Sequence, residues 1–155
     1  MKQVFLIFLL FLMTSTYSQE EDFESNILNT INTFFDGLHK GDTILLKKVI
    51  GKDLLLQTTF VNKEGISVLR TTTNSDFLKA VSKKDPTTVW FEKLLSFTMN
   101  IEQNLASVWA PYEFYINDTF SHCGVNSFQL FNNNGNWEII YIVDTRKIQG
   151  CDSSD

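Results

Sequence analysis

The sequence predicts an α+β domain, with helices first and a strongly curved antiparallel sheet folded around them, in the order ααββαββββ. Three observations carry this. Apolar residues recur at helical spacing across residues 22–39. Residues 105–116, 119–131 and 137–146 read as three long strands. Between them lie Asn117-Asp118 and Asn132-Asn133-Asn134-Gly135, residue types that accept the positive φ of tight hairpins. A meander of this length, placed after helices, builds a curved sheet that can wrap a cavity.

Each element has its own signal. Phe23, Ile27, Ile31, Phe34, Phe35 and Leu38 place one apolar stripe on a first helix. Gly41 suits its C-terminal cap, and Asp42 can cap a short second helix to about residue 50, stopped by Gly51. Residues 54–61 and 66–72 are β-rich and flank the turn Asn62-Lys63-Glu64-Gly65. Asn74 or Ser75 opens a third helix, which ends before Lys83-Lys84-Asp85-Pro86. Residues 90–101 then begin the meander as a single strand.

The N-terminus reads as a secretory leader. Lys2 is followed by ten unbroken apolar residues, 4–13, and then by the small residues Thr16 and Ser18. Cleavage near Ser18 makes residues 1–18 a signal peptide and 19–155 a single domain, exported to the periplasm or secreted. The run is shorter than the ~20 residues needed to span a bilayer, so no stable membrane anchor is expected. Removing it takes away only Lys2, leaving 12 basic against 18 acidic residues. That balance disfavours nucleic acid, whose binding rests on phosphate neutralisation by Lys and Arg. In an oxidising compartment Cys123 and Cys151 are a candidate disulfide. Their spacing from His39 and His122 suggests no metal site, and no cofactor motif is present.

Turn geometry assigns strand faces. A two-residue turn at Asn117-Asp118 places Ile116 opposite Thr119, Glu113 opposite His122 and Trp109 opposite Asn126. Trp109, Glu113 and Tyr115 then share a face with His122, Asn126, Phe128 and Leu130. Across the next turn Trp137, Ile139, Tyr141, Val143 and Thr145 join them. Their aromatic weight marks this as the concave face. Trp109, Glu113, His122, Asn126 and Tyr141 are the candidate ligand-binding residues. Glu113 and His122 are a candidate acid–base pair, with a structural cross-strand contact as the alternative. Asp144 and Arg146 fall on the outer face as a surface ion pair, and so do Val108, Ala110, Tyr112 and Phe114. His39, in the last turn of the first helix, is read as meeting the helix dipole.

The element order resembles the nuclear transport factor 2-like (NTF2-like) superfamily. So do the segments Val108-Trp109-Ala110-Pro111-Tyr112-Glu113-Phe114-Tyr115, Phe120-Ser121-His122-Cys123-Gly124-Val125-Asn126-Ser127-Phe128-Gln129-Leu130, Trp137-Glu138-Ile139 and Asp144-Thr145-Arg146. Within the superfamily these segments look most like the exported bacterial branch named for lumazine binding. The resemblance implies a cone-shaped α+β roll, often a homodimer through the outer sheet face. It implies no single chemistry. Enzymes of steroid-isomerase type use a carboxylate on an early strand, and residues 54–60 hold none. Dehydratase-type members use a His–Asp pair, and no Asp is expected on the face of His122. Three functions stay open: a small-molecule binding protein with an aromatic pocket, a structural or interaction module, and a cofactor-independent enzyme using His122 and Glu113.

Overall fold

The computed structural model describes residues 23–151. The expected leader, residues 1–18, therefore lies outside the described residues. Helix α1 covers residues 23–40, and its apolar stripe is buried, with Ile27 and Ile31 fully inaccessible. Gly41, at φ +70°, turns the chain out of the helix. The amide of Asp42 then bonds back to Gly37 O (2.8 Å) and that of Gly41 to Leu38 O (3.3 Å), closing the last turn as left-handed glycine caps do.

Asp42 caps α2 by accepting from the amides of Ile44 (2.9 Å) and Leu45 (3.0 Å). This helix is a single turn, Thr43–Leu46, and does not reach residue 50. The chain instead enters strand β1, Ile50–Val61. The Ile139 amide bonds to Val49 O (2.8 Å), so sheet pairing claims this stretch before a second helical turn forms. Gly51, read above as a helix stop, is a point of close approach: a Cβ there would sit 3.2 Å from Ile140 Cγ2.

Strand β2, Ser67–Thr73, returns antiparallel to β1 through a turn held by the Asn62 side chain, which accepts from the amides of Glu64 (3.1 Å) and Ile66 (2.9 Å). Helix α3, Asn74–Ser82, is capped by Thr73 and not by Asn74 or Ser75. The expected strand over 90–101 is two strands, β3 (Trp90–Leu94) and β4 (Thr98–Glu102), both paired with β5 (Leu105–Ile116). The break lies opposite Pro111, which accepts from the Leu95 amide (2.9 Å) but has no N–H to return. Strands β6 (Thr119–Asn133) and β7 (Asn136–Lys147) complete a seven-stranded sheet in the order β2-β1-β7-β6-β5-β3, with β4 beside β5.

Two features differ from a simple meander. Strand β1 runs parallel to β7, so the sheet is mixed and β7, last in the chain, lies at its middle. Two register shifts then bend the long strands. Phe114 pairs with His122 but Tyr115 with Phe120, leaving Ser121 as an extra residue. Gln129 pairs with Tyr141 but Leu130 with Ile139, leaving Ile140 extra. Each bulge increases local twist and curls the open sheet around α1 and α3. The core fills the concavity. Phe128 is fully buried and meets Phe34 and Phe35 edge-on at 6.3 and 6.1 Å, while Phe34 stacks on Phe77 at 5.7 Å.

Phe128 thus joins the middle of the sheet to both helices that cover it. Phe128→Ala should cost about 3–5 kcal/mol of stability. Urea unfolding checks this as a lower midpoint with the slope unchanged.

Candidate functional site

The bulges decide which side chains face inward. The hairpin at Asn117-Asp118 forms as expected, with φ of +49° and +61° and Ile116 paired to Thr119. Ser121, three residues from the turn, then inverts the parity of β6 against β5. Val108, Ala110, Tyr112 and Phe114 face inward with His122, Asn126, Phe128 and Leu130; the first three are almost fully buried. Trp109 and Glu113 are carried to the outer face. Trp109 stands 52% exposed there. Glu113 pairs with Cys123, not with His122, and accepts from Tyr115 OH (2.8 Å) and Lys93 Nζ (3.4 Å). The bulge at Ile140 does the same to β7. Trp137 and Ile139 face in, while Tyr141, Val143 and Thr145 face out and Ile142, Asp144 and Arg146 face in. Tyr141 hydrogen-bonds Gln57 on the outer face.

Of the five sequence-derived ligand candidates, His122 and Asn126 therefore line the cavity, and Trp109, Glu113 and Tyr141 do not. The acid–base pair of Glu113 and His122 is not formed. Asp144 and Arg146 are bonded to each other as expected (Oδ2 to Nε, 2.7 Å), but on the concave face, where Asp144 is buried and the half-exposed Arg146 lines the cavity.

The cavity has a volume of about 1290 Å³ and lies between the concave sheet and the helices. Phe34 and Phe77 from the helices, Leu56 and Phe60 from β1, Trp90 from β3 and Phe114 from β5 wall it. A polar cluster crosses its floor. Asp144 accepts from Thr58 Oγ1 (2.6 Å), Tyr112 OH (3.2 Å) and Arg146 Nε (2.7 Å). Tyr112 reaches Asp144 by crossing β6 above Gly124, and its hydroxyl also lies 3.1 Å from Thr145 O. Gly124 is required there: a Cβ would fall 1.7 Å from Thr145 O and 3.1 Å from the Tyr112 ring.

Glu92, on β3, is the second carboxylate. Its Oε1 accepts from Asn126 Nδ2 at 2.6 Å, and its backbone amide donates to His39 Nε2 at 2.9 Å. His39 is therefore more than a charge near the end of a helix. It ties α1 to the strand that carries Glu92, and burial lowers its pKa, which favours the neutral form that accepts this bond. Burial raises the Glu92 carboxyl to about 7, helped by nearby Asp144 and opposed by the Asn126 hydrogen bond and by Arg146. His122 is lowered by burial first and by Arg146 next, with Asp144 opposing. Its ring lies 5.0 Å from that of Phe114, and its Nδ1 is 3.0 Å from Ser121 Oγ. Asp144 does share the face of His122, contrary to expectation. The two are not hydrogen-bonded; each has other partners. The longer β1 includes Asp53, which is exposed and does not line the cavity.

Cys123 and Cys151 are joined, with their Cα atoms 5.9 Å apart. Closing such a loop contributes about 3–4 kcal/mol in the chain-entropy account. The bond holds the segment after β7 against β6, and Lys147, Ile148 and Gln149 form part of the cavity rim. No group of His, Cys, Asp and Glu among the described residues is arranged to hold a metal ion. No helix among them is long and apolar enough to cross a membrane.

No family model matches the chain, and no curated protein matches it in sequence. Solved structures share its fold. An NTF2-like protein from Cytophaga hutchinsonii is similar with a TM-score of 0.65 and 17% identity, over 80% of this chain and 98% of that one. An NTF2-like protein of unknown function from Silicibacter pomeroyi gives 0.62 and 14%, over 83% and 98%. The β subunit of a protein provisionally named an aromatic-ring-hydroxylating dioxygenase, from Novosphingobium aromaticivorans, gives 0.65 and 13%, over 84% and 92%. The fold is that of the NTF2-like proteins.

Glu92 supplies a pH test. Its folded-state pKa near 7 lies above its ordinary value of 4.5. Between these values the folded protein keeps a proton that the unfolded chain releases. This group's contribution is therefore fully present below the lower value and is lost as pH rises through the higher one. Glu92→Gln cannot ionise and should lack the loss. The stability of wild type minus variant should fall by roughly 3 kcal/mol across that window. Urea unfolding at a series of pH values measures it, and parallel profiles would return Glu92 to an ordinary carboxyl.

Proposed function

We propose that this chain is an exported small-molecule-binding protein whose ligand occupies the cavity between the concave sheet and helices α1 and α3. The supporting observation is the cavity itself. It is large for a core defect, has aromatic walls, and carries polar groups on its floor in place of packed side chains. A purely structural module gains nothing from keeping Glu92 and Asp144 in such a place, where carboxylates are costly. Catalysis by Glu113 and His122 lacks its geometry. The neighbours in fold include a protein of unknown function and a dioxygenase subunit, so the fold does not choose a chemistry.

Two further parts of this reading concern assembly and export. The outer face exposes Leu55, Leu69 and Trp109, a surface suited to pairing with a second copy. Export is supported by Lys2, the apolar run at 4–13 and the small residues before Gln19. The resemblance to the exported branch named for lumazine binding supports the same compartment.

Native mass spectrometry of protein purified from its own host tests both binding and assembly. A bound small molecule on a dimer is expected. An unliganded mass that also takes up nothing from a host metabolite extract would remove the binding reading. N-terminal sequencing of the mature protein should begin within a few residues of Gln19, and a retained Met1 would remove export.

A further inference from the structure

The charges that line the cavity run against those of the whole chain. The protein carries a formal net charge of −5. Its cavity is lined by four cations, Lys63, Arg70, Arg146 and Lys147, against two carboxylates, Glu92 and Asp144. Those carboxylates are already occupied. Asp144 is held by Thr58, Tyr112 and Arg146, and Glu92 by Asn126. The two arginines are not fully so. Among the described residues Arg70 has no carboxylate partner, and Arg146 engages Asp144 through Nε alone, leaving its two terminal amino groups without a protein acceptor.

The two arginines share the cavity face by topology. Arg70 on β2 pairs with Thr58 of β1, and Arg146 on β7 pairs with Phe60 of β1. They flank β1 from both sides on the cavity face, and the Arg70 guanidinium lies 5.2 Å above the Phe60 ring. Stacking on an aromatic face leaves the guanidinium edge free, and that edge is the part that recognises a carboxylate. Two cations on either side of one strand repel each other unless anions offset them, and Asp144 offsets only Arg146. Beyond them the cavity turns apolar, toward Leu56, Phe77 and Phe34.

Building on the binding reading above, we infer that the ligand is a small organic carboxylate with an apolar, aromatic-sized body. Its carboxylate sits against Arg70 and Arg146 at the end of the cavity formed by β2, β1 and β7. Its body extends along Phe60 and Phe77. Lys63 and Lys147 at the rim raise the local concentration of anions without fixing their orientation.

The test uses three ligands of one shape and different charge: 2-naphthoate, 2-naphthylmethanol and 2-naphthylmethylamine. Their affinities for the mature, disulfide-bonded protein are measured by calorimetry near neutral pH. The acid should bind tightest, by about tenfold or more over the alcohol, the ratio that one charge-assisted contact supplies. That preference should shrink with added salt. It should fall toward unity in Arg70→Gln, a substitution at an exposed position whose unfolding midpoint controls for misfolding. Equal binding of acid and alcohol, or tighter binding of the amine, overturns the carboxylate inference while leaving the cavity a binding site. An acid preference that survives in Arg70→Gln overturns the placement. Failure of all three to bind overturns this inference, while uptake from the host extract decides the binding reading beneath it separately.

Discussion

The interior of this sheet depends on one missing side chain. Tyr112 begins on β5 and ends hydrogen-bonded to β7, and the only path between them crosses β6 at Gly124. With any larger residue at that point, the phenol ring and the Thr145 carbonyl cannot both keep their places. The crossing satisfies a buried hydroxyl and a buried carboxylate together. Neither would be tolerable alone in low dielectric. Asp144 then fixes Arg146, and Thr58 of β1 donates to the same carboxylate, so three strands share one polar knot. The knot lies where strands of opposite direction meet, beside the parallel pair of β1 and β7.

Much of the fold was legible because it rests on local chemistry. The helical stripe of α1, the Gly41 stop, the Asn117-Asp118 hairpin and the strands β5, β6 and β7 each follow from residue type and spacing. The site was not legible for a specific reason. Side-chain direction has a period of two, so one extra residue turns every later side chain to the other face. Ser121 and Ile140 are such residues, and neither type announces a bulge. Counting from the turns therefore sent Trp109, Glu113 and Tyr141 inward and Asp144, Arg146 and Tyr112 outward.

A signal for the true assignment was present. Val108, Ala110, Tyr112 and Phe114 alternate without a charge, whereas the other face of the same strand carries Pro111 and Glu113. An apolar core accepts the first set more readily than a carboxylate, although Glu113 is itself buried on the outer face beside Lys93 and Tyr115. Gly124, between His122 and Asn126 on one face of a long strand, marks a close approach from a neighbour. Glu92 and Arg70 carried no such mark, because their place in the cavity depends on which strands become neighbours. Local pattern says little about that. The parallel pairing of β1 with β7 joins residues more than eighty positions apart, and it alone brings Arg146 beside Phe60.

That pairing also sets the order in which the molecule can be completed. The central strand of the sheet is the last one made. Until β7 inserts between β1 and β6, the first hairpin has no sheet to join, Asp144 has no Thr58, and the concave wall has a gap along its middle. Contacts of such long sequence separation are entropically late, so folding should be slow for a chain of this size and concerted at its end. The cavity therefore depends on β7: no form lacking that strand has one, and nothing can be held in it before that strand closes the sheet.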